Sequence, residues 1–485
     1  MILSSPWVLP ISSPLIEDGA IVVEGEQIMD LGNQKDILRR YPHHPVKHYP
    51  TSALLPGFVN VHTHLELSIL RGYLEGLSFW SWIRALARTK YEILSYDDIL
   101  ISALLGAVEA IQAGITTVGD PMDLGGTLEA ALSTGIRGIL YQEVFSPRPD
   151  DADKALQTLE VNLQARRAQI AGFPTSGILS RFIGFDSMDR EKRVADRKKR
   201  VRLGVSPHAP YTVSAPLFLA VHQFARKEDL PVCIHIGESV AERQWLRDGT
   251  GPIADSYRER GIPWVPPQMT PIQYLHNLGV IEDLTLLVHC IHLREEDFEI
   301  IRTQRASVAH CPKSNWKLRH GYMNLNEIYR RKIRLGLGTD SVASNNSMDF
   351  FEEMRSTWSN PTVCLPPSNG DTLLERDHLF SSAELLRMGT LGGAEALGMS
   401  TEIGSLEAGK LADIIAVDLT GFHVQPVFSP TDALVFSCRA SDVRMTMIGG
   451  ETLYEGGSIA GLRSGEFSYA LEQVRTKMLN ARRKD

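Results

Sequence analysis

The sequence predicts an α/β protein, a TIM-like (β/α)8 barrel of parallel strands with a small β domain formed by the two chain ends. Between residues 55 and about 399, short apolar runs alternate with longer helical stretches, which is the pattern of βα units around a parallel sheet. β-like runs separated by turn residues precede this stretch and return after it. We therefore divide the chain into segments 1–54, 55–400 and 401–485.

The two outer segments share a strand-and-turn character. Residues 19–25 form an apolar run between glycines near the start, and residues 414–417 and 445–450 repeat this pattern near the end. Since both ends read as strand and turn, we expect them to pair into one small β domain beside the barrel.

The middle segment contains eight candidate strands. They are residues 57–62, 114–119, 137–144, 201–208, 231–235, 284–289, 306–310 and 333–340. Eight strands with helices between them are the number that closes a (β/α)8 barrel. The proline-rich residues 245–274, after the fifth strand, are predicted to form a loop at the barrel rim, where loops commonly determine specificity.

Composition narrows the function classes and the setting. The 485 residues are 43% hydrophobic, and 50 basic against 58 acidic residues give a mild formal charge of -8. This balance does not support binding to nucleic acid or to an anionic membrane. Five widely spaced cysteines without a CxxC pair indicate reduced thiols, and the start of the sequence shows neither a signal peptide nor a spanning helix. We expect a cytoplasmic protein.

Histidines and one aspartate mark the predicted carboxyl ends of the barrel strands, where active sites of this fold lie. His62 and His64 are two residues apart, so on a strand they face the same side. His235 and Asp340 end two other strands, and the four side chains together suit one divalent ion, zinc or alternatively iron. The fourth strand, 201–208, contains no lysine to bridge a second ion.

Acid–base candidates accompany this ligand set. Glu238 follows His235 by three residues and is a candidate proton shuttle, and His289, at the end of the sixth strand, is placed to assist a water together with Asp340. A divalent ion lowers the pKa of its water from about 15.7 to about 7, giving hydroxide that attacks an electrophilic carbon. The residues therefore predict a metal-dependent hydrolase.

Six motifs resemble the amidohydrolase superfamily, and within it the cytosine-deaminase-like mononuclear group. They are LPGFVNVHTH (55–64), HIGE (235–238), LVHC (287–290), VAHCPKSN (308–315), LGTDSVASNN (337–346) and GSLEAGKLAD (404–413). The resemblance covers nearly the whole chain and implies that the small β domain is a β-sandwich. It also implies that His62, His64, His235 and Asp340 bind the metal, that Glu238 shuttles the proton, and that His289 assists the nucleophilic water.

The resemblance also bears on the substrate. Ser341 follows Asp340 where cytosine deaminases typically carry a second aspartate, which argues against cytosine. Residues 343–355 resemble deaminases of S-adenosylhomocysteine, methylthioadenosine and aminodeoxyfutalosine, and HTHLELS (62–68) is similar to the aminodeoxyfutalosine branch. We therefore predict hydrolysis of a C–N bond in a cyclic amidine, namely deamination of an aminated purine nucleoside-type heterocycle with release of ammonia.

Four further residues are candidates for the substrate pocket. His208 resembles a substrate-contacting histidine of adenosine-type deaminases, and His310 lies in the HCPKSN motif. Trp80 and Trp82 are candidates to wall a nucleoside pocket by stacking, although packing of their helix on the barrel is the alternative.

Two other functions stay open on the same residues. Triazine chlorohydrolases and other non-peptide C–N hydrolases share the scaffold, and the ligands do not specify the leaving group. A metal-binding protein without catalysis is the alternative from another class. The expected partner is a small heterocyclic substrate. Members of the group are often dimers or tetramers, but no residue indicates an interface.

Overall fold

Strands fall into three groups along the computed structural model, which describes residues 1–174, 177–184, 190–363 and 380–482. The first group is β1 (Ile2–Val8), β2 (Ile16–Glu24), β3 (Gln27–Asn33), β4 (Val46–His48) and β5 (Ser52–Pro56). The second is β6 (Phe58–Asn60), β7 (Ile115–Met122), β8 (Arg137–Val144), β9 (Val201–Pro207), β10 (Cys233–Ile236), β11 (Leu286–His289), β12 (Ser307–His310) and β13 (Arg334–Leu337). The third is β14 (Ile414–Asp418), β15 (Val443–Ile448), β16 (Glu451–Glu455) and β17 (Ser458–Ile459).

The second group forms the barrel. Its strands pair in parallel as two arcs, β6-β7-β8-β9 and β10-β11-β12-β13. A bridge between Val205 and Val232 joins β9 to β10. At the other junction, the Val61 amide donates to the Leu337 carbonyl at 3.0 Å and joins β6 to β13. The predicted (β/α)8 barrel is confirmed, and each of its strands overlaps a predicted run.

The barrel interior is filled by alternate residues of its strands. On β8, Ile139 and Tyr141 belong to an inner cluster with Val59 and Cys233, whereas Leu140 packs in the larger core around the barrel. This period-2 alternation is the expected geometry of a strand with two buried faces. Gly204 on β9 is required by a close approach, because a Cβ there would lie 2.6 Å from the Tyr141 ring.

Helices connect and cover the strands. The α-helices span Gln34–Arg40, Phe79–Arg88, Tyr96–Gln112, Gly126–Thr134, Ala152–Gly172, Arg190–Lys199, Ala215–Glu228, Val240–Asp248, Pro252–Glu259, Pro271–Asn277, Glu295–Thr303, Pro312–Lys317, Leu325–Arg330, Val342–Asn345, Phe350–Trp358, Ser382–Arg387, Gly393–Ala396, Pro430–Asp432 and Ser464–Arg482. The 3-10 helices span Leu65–Leu70, Pro149–Asp151, Ile178–Arg181, Pro361–Val363 and Ala440–Asp442. The π-helices span Thr89–Ile93, Met388–Gly392 and Ala433–Ser437. Helix Tyr96–Gln112 begins with a capping box in which Ser95 and Asp98 exchange side-chain and backbone hydrogen bonds, satisfying two free amides.

The first and third groups form one sheet, in the order β17-β16-β15-β14-β5-β1-β2-β3 with β4 beside β1. β5 pairs in parallel with β1 and antiparallel with β14, so the two chain ends meet along it. The strands fold over a core that includes Leu3, Ile21 and Met445, which gives the β-sandwich domain. β5 runs to Pro56, beyond residue 54, and the division of the chain at 54 and 400 stays a prediction.

The prediction of a rim loop over residues 245–274 is wrong in part. Helix Val240–Asp248 ends inside this stretch, Pro252–Glu259 is helical throughout, and Pro271–Asn277 begins in it. Prolines 252 and 271 occupy the first turn of their helices, where a missing amide hydrogen is tolerated. Trp245 is fully buried and stacks on Trp264 at a centroid distance of 3.9 Å. This contact packs the non-helical residues 260–270 against helix Val240–Asp248.

Two predictions from composition have structural counterparts. Cys233, Cys290, Cys311 and Cys438 are buried free thiols, and Cys364 lies outside the described residues. Over the ranges that the structure describes, no helix has both the length and the apolar character needed to cross a bilayer.

Candidate metal centre and active site

His62, His64 and Asp340 converge where the barrel closes. The two histidines follow β6, and Asp340 follows β13, its neighbour at the junction. The Nε2 atoms of His62 and His64 each lie 3.6 Å from Oδ1 of Asp340. Strand pairing therefore brings together side chains that are far apart in sequence, as predicted from their positions at strand ends.

His235 completes this group from β10, on the other arc. Its ring centroid lies 4.8 Å from that of His62 and 5.6 Å from that of His64. Its Nδ1 donates to the His208 carbonyl at 3.1 Å, as Nδ1 of His64 does to the Pro121 carbonyl at 3.1 Å. These peptide carbonyls fix both rings and leave Nε2 with a free lone pair, the arrangement that metal-binding histidines commonly show.

The bonding state of His62 indicates that the site is built for a cation. The residue is fully buried, yet within the described part of the chain neither ring nitrogen has a hydrogen-bond partner, because Asp340 Oδ1, 3.6 Å from Nε2, is beyond hydrogen-bond distance. A buried polar group without a partner is costly in free energy, and a bound ion would provide a partner for one of the two ring nitrogens. The candidate ligand atoms of His62, His64 and Asp340 lie within 4.8 Å of one another, and so do those of His62, His235 and His289. Imidazole nitrogens with one carboxylate oxygen suit a zinc or iron ion.

Asp340 is held by three donors. Ser314 Oγ donates to Oδ2 at 2.5 Å, Ser344 Oγ to Oδ2 at 3.0 Å, and the Ser341 amide to Oδ1 at 2.7 Å. Burial alone would raise the pKa of Asp340, but the His62 imidazole and the other nearby histidines hold it well below its ordinary value. The carboxylate is therefore charged and fixed in orientation.

Two histidines of the site, His64 and His208, have a pKa well below its ordinary value. Burial, together with neighbouring His62, lowers the pKa of His64 to about 3. Burial likewise lowers the pKa of His208 to about 4. A neutral imidazole is the form that offers a lone pair to a metal ion.

Glu238 lies between two imidazoles. Its Oε1 is 3.6 Å from Nε2 of His289 and 3.3 Å from Nε2 of His320. Burial would raise the pKa of Glu238, but His289 and His320 lower it to about 2. The Glu238 amide donates to the Glu242 carboxylate at 2.9 Å, so the backbone that carries the side chain is also anchored.

The side-chain amide of Asn315 orients the His289 ring. Its Nδ1 donates to Oδ1 of Asn315 at 2.8 Å, which leaves Nε2 directed to Glu238. Its ring centroid lies 5.6 Å from that of His235 and 5.9 Å from that of His62. His289 thus lies between the candidate metal ligands His62 and His235 on one side and the Glu238 carboxylate on the other.

Three residues of the site are not predicted from the sequence. Ser314 and Asn315 lie in the HCPKSN motif, in which only His310 is a sequence candidate, and their roles emerge from contacts with Asp340 and His289. His320 lies in the turn after helix Pro312–Lys317, where no periodicity marks it. Its ring packs edge-on against Phe79 at 4.4 Å.

The predicted pocket residues have different surroundings. His208 is adjacent to the ligand group, with its ring 4.7 Å from that of His235 and its Nδ1 2.8 Å from Oγ1 of Thr212. His310 is buried, both of its ring nitrogens are without a hydrogen-bond partner among the residues that the structure describes, and it lines a cavity of about 190 Å³. Among the described residues, its ring makes no ring contact with His62, His64 or His235.

The two tryptophans lie on helix Phe79–Arg88. Trp80 is half-buried and approaches Tyr211, three residues after His208, at a centroid distance of 6.2 Å. Trp82 is buried and stacks parallel to Phe79 at 6.4 Å. The helix therefore borders the site through Trp80 and Phe79, and contact of either tryptophan with substrate stays a prediction.

Comparison with known proteins agrees with this geometry. The chain is 31% identical over 476 residues to the 5-methylthioadenosine/S-adenosylhomocysteine deaminase of Nitratidesulfovibrio vulgaris Hildenborough, covering 95% of this chain and 94% of that protein. The enzyme of the same name from Pelotomaculum thermopropionicum is 28% identical over 485 residues, covering 99% of each chain.

Solved structures show the same architecture. A zinc-bound adenosine deaminase from Xanthomonas campestris superposes with a TM-score of 0.80 at 25% identity, covering 99% of this chain and 98% of the other. Helicobacter pylori aminofutalosine deaminase gives 0.72 at 20% identity, covering 93% and 99%. The amidohydrolase family model matches residues 53–453, most of the chain. The chain belongs to the amidohydrolase family.

Proposed function

We propose that the chain is a metal-dependent hydrolytic deaminase that releases ammonia from an aminated purine nucleoside-type heterocycle. The substrate belongs to the S-adenosylhomocysteine, methylthioadenosine or aminodeoxyfutalosine class. The observation that carries the proposal is the ionised Glu238, held by His289 and His320 beside a donor set built for a cation. The names of the relatives support the same reaction class.

His62, His64, His235 and Asp340 would hold one divalent ion, with zinc as the first candidate and iron as the second. When bound, such an ion supplies the Lewis acidity that activates water at neutral pH. The unpartnered ring of His62 and the neutral state of His64 support this assignment. Lysine is absent from β9, so a bridge to a second ion is not available there.

Glu238 moves the protons. As a carboxylate it takes one proton from the attacking water and gives it to the ring nitrogen beside the amino-bearing carbon. The water oxygen forms the new C–O bond. The carbon–nitrogen bond then breaks, and Glu238 relays the remaining proton of the added hydroxyl to the amino group, which leaves as ammonia. His320 lies on the same Oε1 and keeps the carboxylate oriented.

His289 and Asp340 orient the water. Because Nδ1 of His289 donates to Asn315, its Nε2 is the ring atom that can form a hydrogen bond with the attacking water. Asp340, fixed by Ser314 and Ser344, is placed to accept a hydrogen bond from the attacking water and so to orient it. Two acceptors on one water align its lone pair with the ring carbon, and positioning of this kind supplies a large share of such rate enhancements.

The test is product analysis on a substrate panel. The purified, metal-loaded chain is incubated with methylthioadenosine, S-adenosylhomocysteine, aminodeoxyfutalosine, adenosine, guanine, cytosine and chlorinated triazines, and ammonia and chloride are measured. We expect ammonia from at least one nucleoside and no chloride. Chloride release from a triazine without ammonia from any nucleoside would overturn the proposal, as would binding of metal without any turnover.

A further inference from the structure

Two polar side chains on adjacent barrel strands have no part in the chemistry above. Glu143 on β8 and Ser206 on β9 are paired in register across the parallel ladder. Side chains paired in this way project from the same face of the sheet. They are therefore neighbours, separated by roughly the 4.8 Å spacing between strands.

That face is the barrel interior. Ile139 and Tyr141, which alternate with Glu143 along β8, both belong to the inner cluster. Gln142 projects the other way, where Arg166 of helix Ala152–Gly172 donates to its side-chain oxygen at 3.3 Å. Strand alternation consequently directs the Glu143 carboxyl inward, at the carboxyl end of its strand.

Neither group has a partner. Among the described residues, the Glu143 carboxyl makes no hydrogen bond or ion pair and the Ser206 hydroxyl has no hydrogen bond, although their residues are only 8% and 0% exposed. The nearby Lys90 ammonium lies 3.7 Å from Glu66 and 3.1 Å from Asp123 instead. Unpartnered polar groups at this depth are costly unless another molecule supplies their hydrogen bonds.

The pair adjoins the candidate active site. His208 follows Ser206 by two residues at the end of β9 and so lies on the same side of the chain. Its ring is 4.7 Å from that of His235. A ligand held at the metal centre is therefore within reach of Glu143 and Ser206 through a substituent that extends toward β8.

We propose that Glu143 and Ser206 form a subsite that binds the vicinal sugar hydroxyls of the nucleoside substrate. The inference rests on the proposed function and adds the part of the substrate that is recognised. A hydroxyl donates and accepts, as the Ser206 hydroxyl and a neutral carboxyl both do.

The local charge favours hydroxyls over a cation. Burial raises the pKa of Glu143 to about 8, with Lys90 opposing the rise, so the carboxyl is mostly neutral at pH 7. A substrate ammonium would also meet the Lys90 charge. A bound water is the other occupant that this chemistry allows, and the experiment separates the two.

The experiment compares adenosine with 2′,3′-dideoxyadenosine, which carries the same base without the two hydroxyls. Glu143→Ala is expected to lower kcat/KM for adenosine by about 100-fold, mainly through KM, and to change kcat/KM for the dideoxy compound by less than about threefold. Ser206→Ala is expected to give a loss of about tenfold on adenosine alone. Glu143→Gln keeps a donor and an acceptor and should recover most of the loss.

Ser307→Ala is the matched control. Ser307 is also a fully buried serine with an unpartnered hydroxyl on a barrel strand, but it begins β12, at the opposite end of the barrel. It should leave both substrates unchanged. Equal losses on the two nucleosides in Glu143→Ala, or no loss on adenosine, would overturn the subsite and indicate a bound water.

Calorimetric binding keeps this result separate from the deaminase proposal. Wild-type protein should bind adenosine more tightly than the dideoxy compound, and Glu143→Ala should remove that difference at unchanged melting temperature. If the difference exists but no ammonia is released from any nucleoside, the subsite stands and the proposed function fails. If ammonia is released and the difference is absent, the subsite alone fails.

Discussion

At the scale of single residues, Glu238 carries the largest share of the proposed chemistry. A proton shuttle has to be charged before the reaction and has to keep its orientation while it is protonated and deprotonated. Two imidazoles near one carboxylate oxygen favour the charged form, since they lower the pKa of Glu238 to about 2, and the hydrogen bond from the Glu238 amide to Glu242 anchors its backbone. This arrangement makes the effect of two substitutions predictable.

Glu238→Gln keeps the size of the side chain and removes its ability to accept a proton. We expect kcat to fall by roughly 100- to 10,000-fold, with metal content and melting temperature close to those of the wild type. Glu17→Gln, an exposed change on β2, is the control and should have no effect. Turnover of Glu238→Gln within tenfold of the wild type would remove Glu238 from its proposed role.

His320 is a positioning residue in this scheme. His320→Phe should lower kcat by about tenfold with little change in KM, because it acts on Glu238 rather than on substrate. It should also move the acidic limb of the kcat–pH profile to higher pH, since a neighbour that lowers the pKa of Glu238 is lost. His320→Gln, which keeps a donor, should partly restore both values. An unshifted acidic limb in His320→Phe would contradict the role.

The convergence of the candidate ligand residues is predictable from sequence because strand ends of a barrel meet by geometry, so position alone brings His235 and Asp340 each close to His62. His320 is not predictable in this way. It reaches Glu238 from an irregular turn, and only the path of the chain after helix Pro312–Lys317 determines its direction.

At the scale of elements, strands are easier to predict than connections. β8 matches the predicted run at both ends, and all of its residues are buried, with the apolar residues Ile139, Leu140 and Tyr141 at its centre. The prediction for residues 245–274 is wrong in part because a proline is typical both of a loop and of the first turn of a helix. The burial of Trp245 against Trp264, a tertiary contact, decides between the two.

Helix Phe350–Trp358 gives a pH-dependent prediction. Glu353 is fully buried on it and accepts a hydrogen bond from Asn345 Nδ2 at 2.6 Å. Burial raises the pKa of Glu353 to about 8, and Lys313 opposes the rise. An acid with a raised pKa in the folded state contributes stability that is full below its unfolded pKa of about 4.5 and is lost as pH rises through about 8.

Glu353→Gln should remove this pH dependence. Between pH 6 and pH 8, the free energy of unfolding of the wild type should fall by about 2 kcal/mol relative to the variant. Urea unfolding of both proteins at several pH values measures the difference. A difference that stays constant over this range would show that Glu353 does not take up a proton on folding.

At the scale of the whole molecule, the candidate metal centre joins the two arcs of the barrel. His62 and His64 follow the first strand of one arc, whereas His235 and Asp340 belong to the other. An ion held by all four would cross-link the arcs at their junction. Such an ion binds the folded chain and not the unfolded one, so it should stabilise the whole fold.

We expect about one zinc ion per chain by elemental analysis. Removal by a chelator should lower the melting temperature, with a loss of roughly 4 kcal/mol if the ion is present at about 1,000 times its Kd. Re-addition of zinc should restore the value, and His62→Ala should abolish the response. Two tightly bound ions per chain, or a melting temperature indifferent to chelation, would contradict the single site.

The pairing of β5 with β14 has a consequence for the order in which the protein forms. β5 lies between β1 and β14 in the sheet, so during synthesis its edge stays open until residues 414–418 have been made. The entire barrel is synthesised in the interval. During translation the amino-terminal strands are therefore an exposed template for unwanted pairing, and their protection depends on how quickly the remainder of the polypeptide arrives.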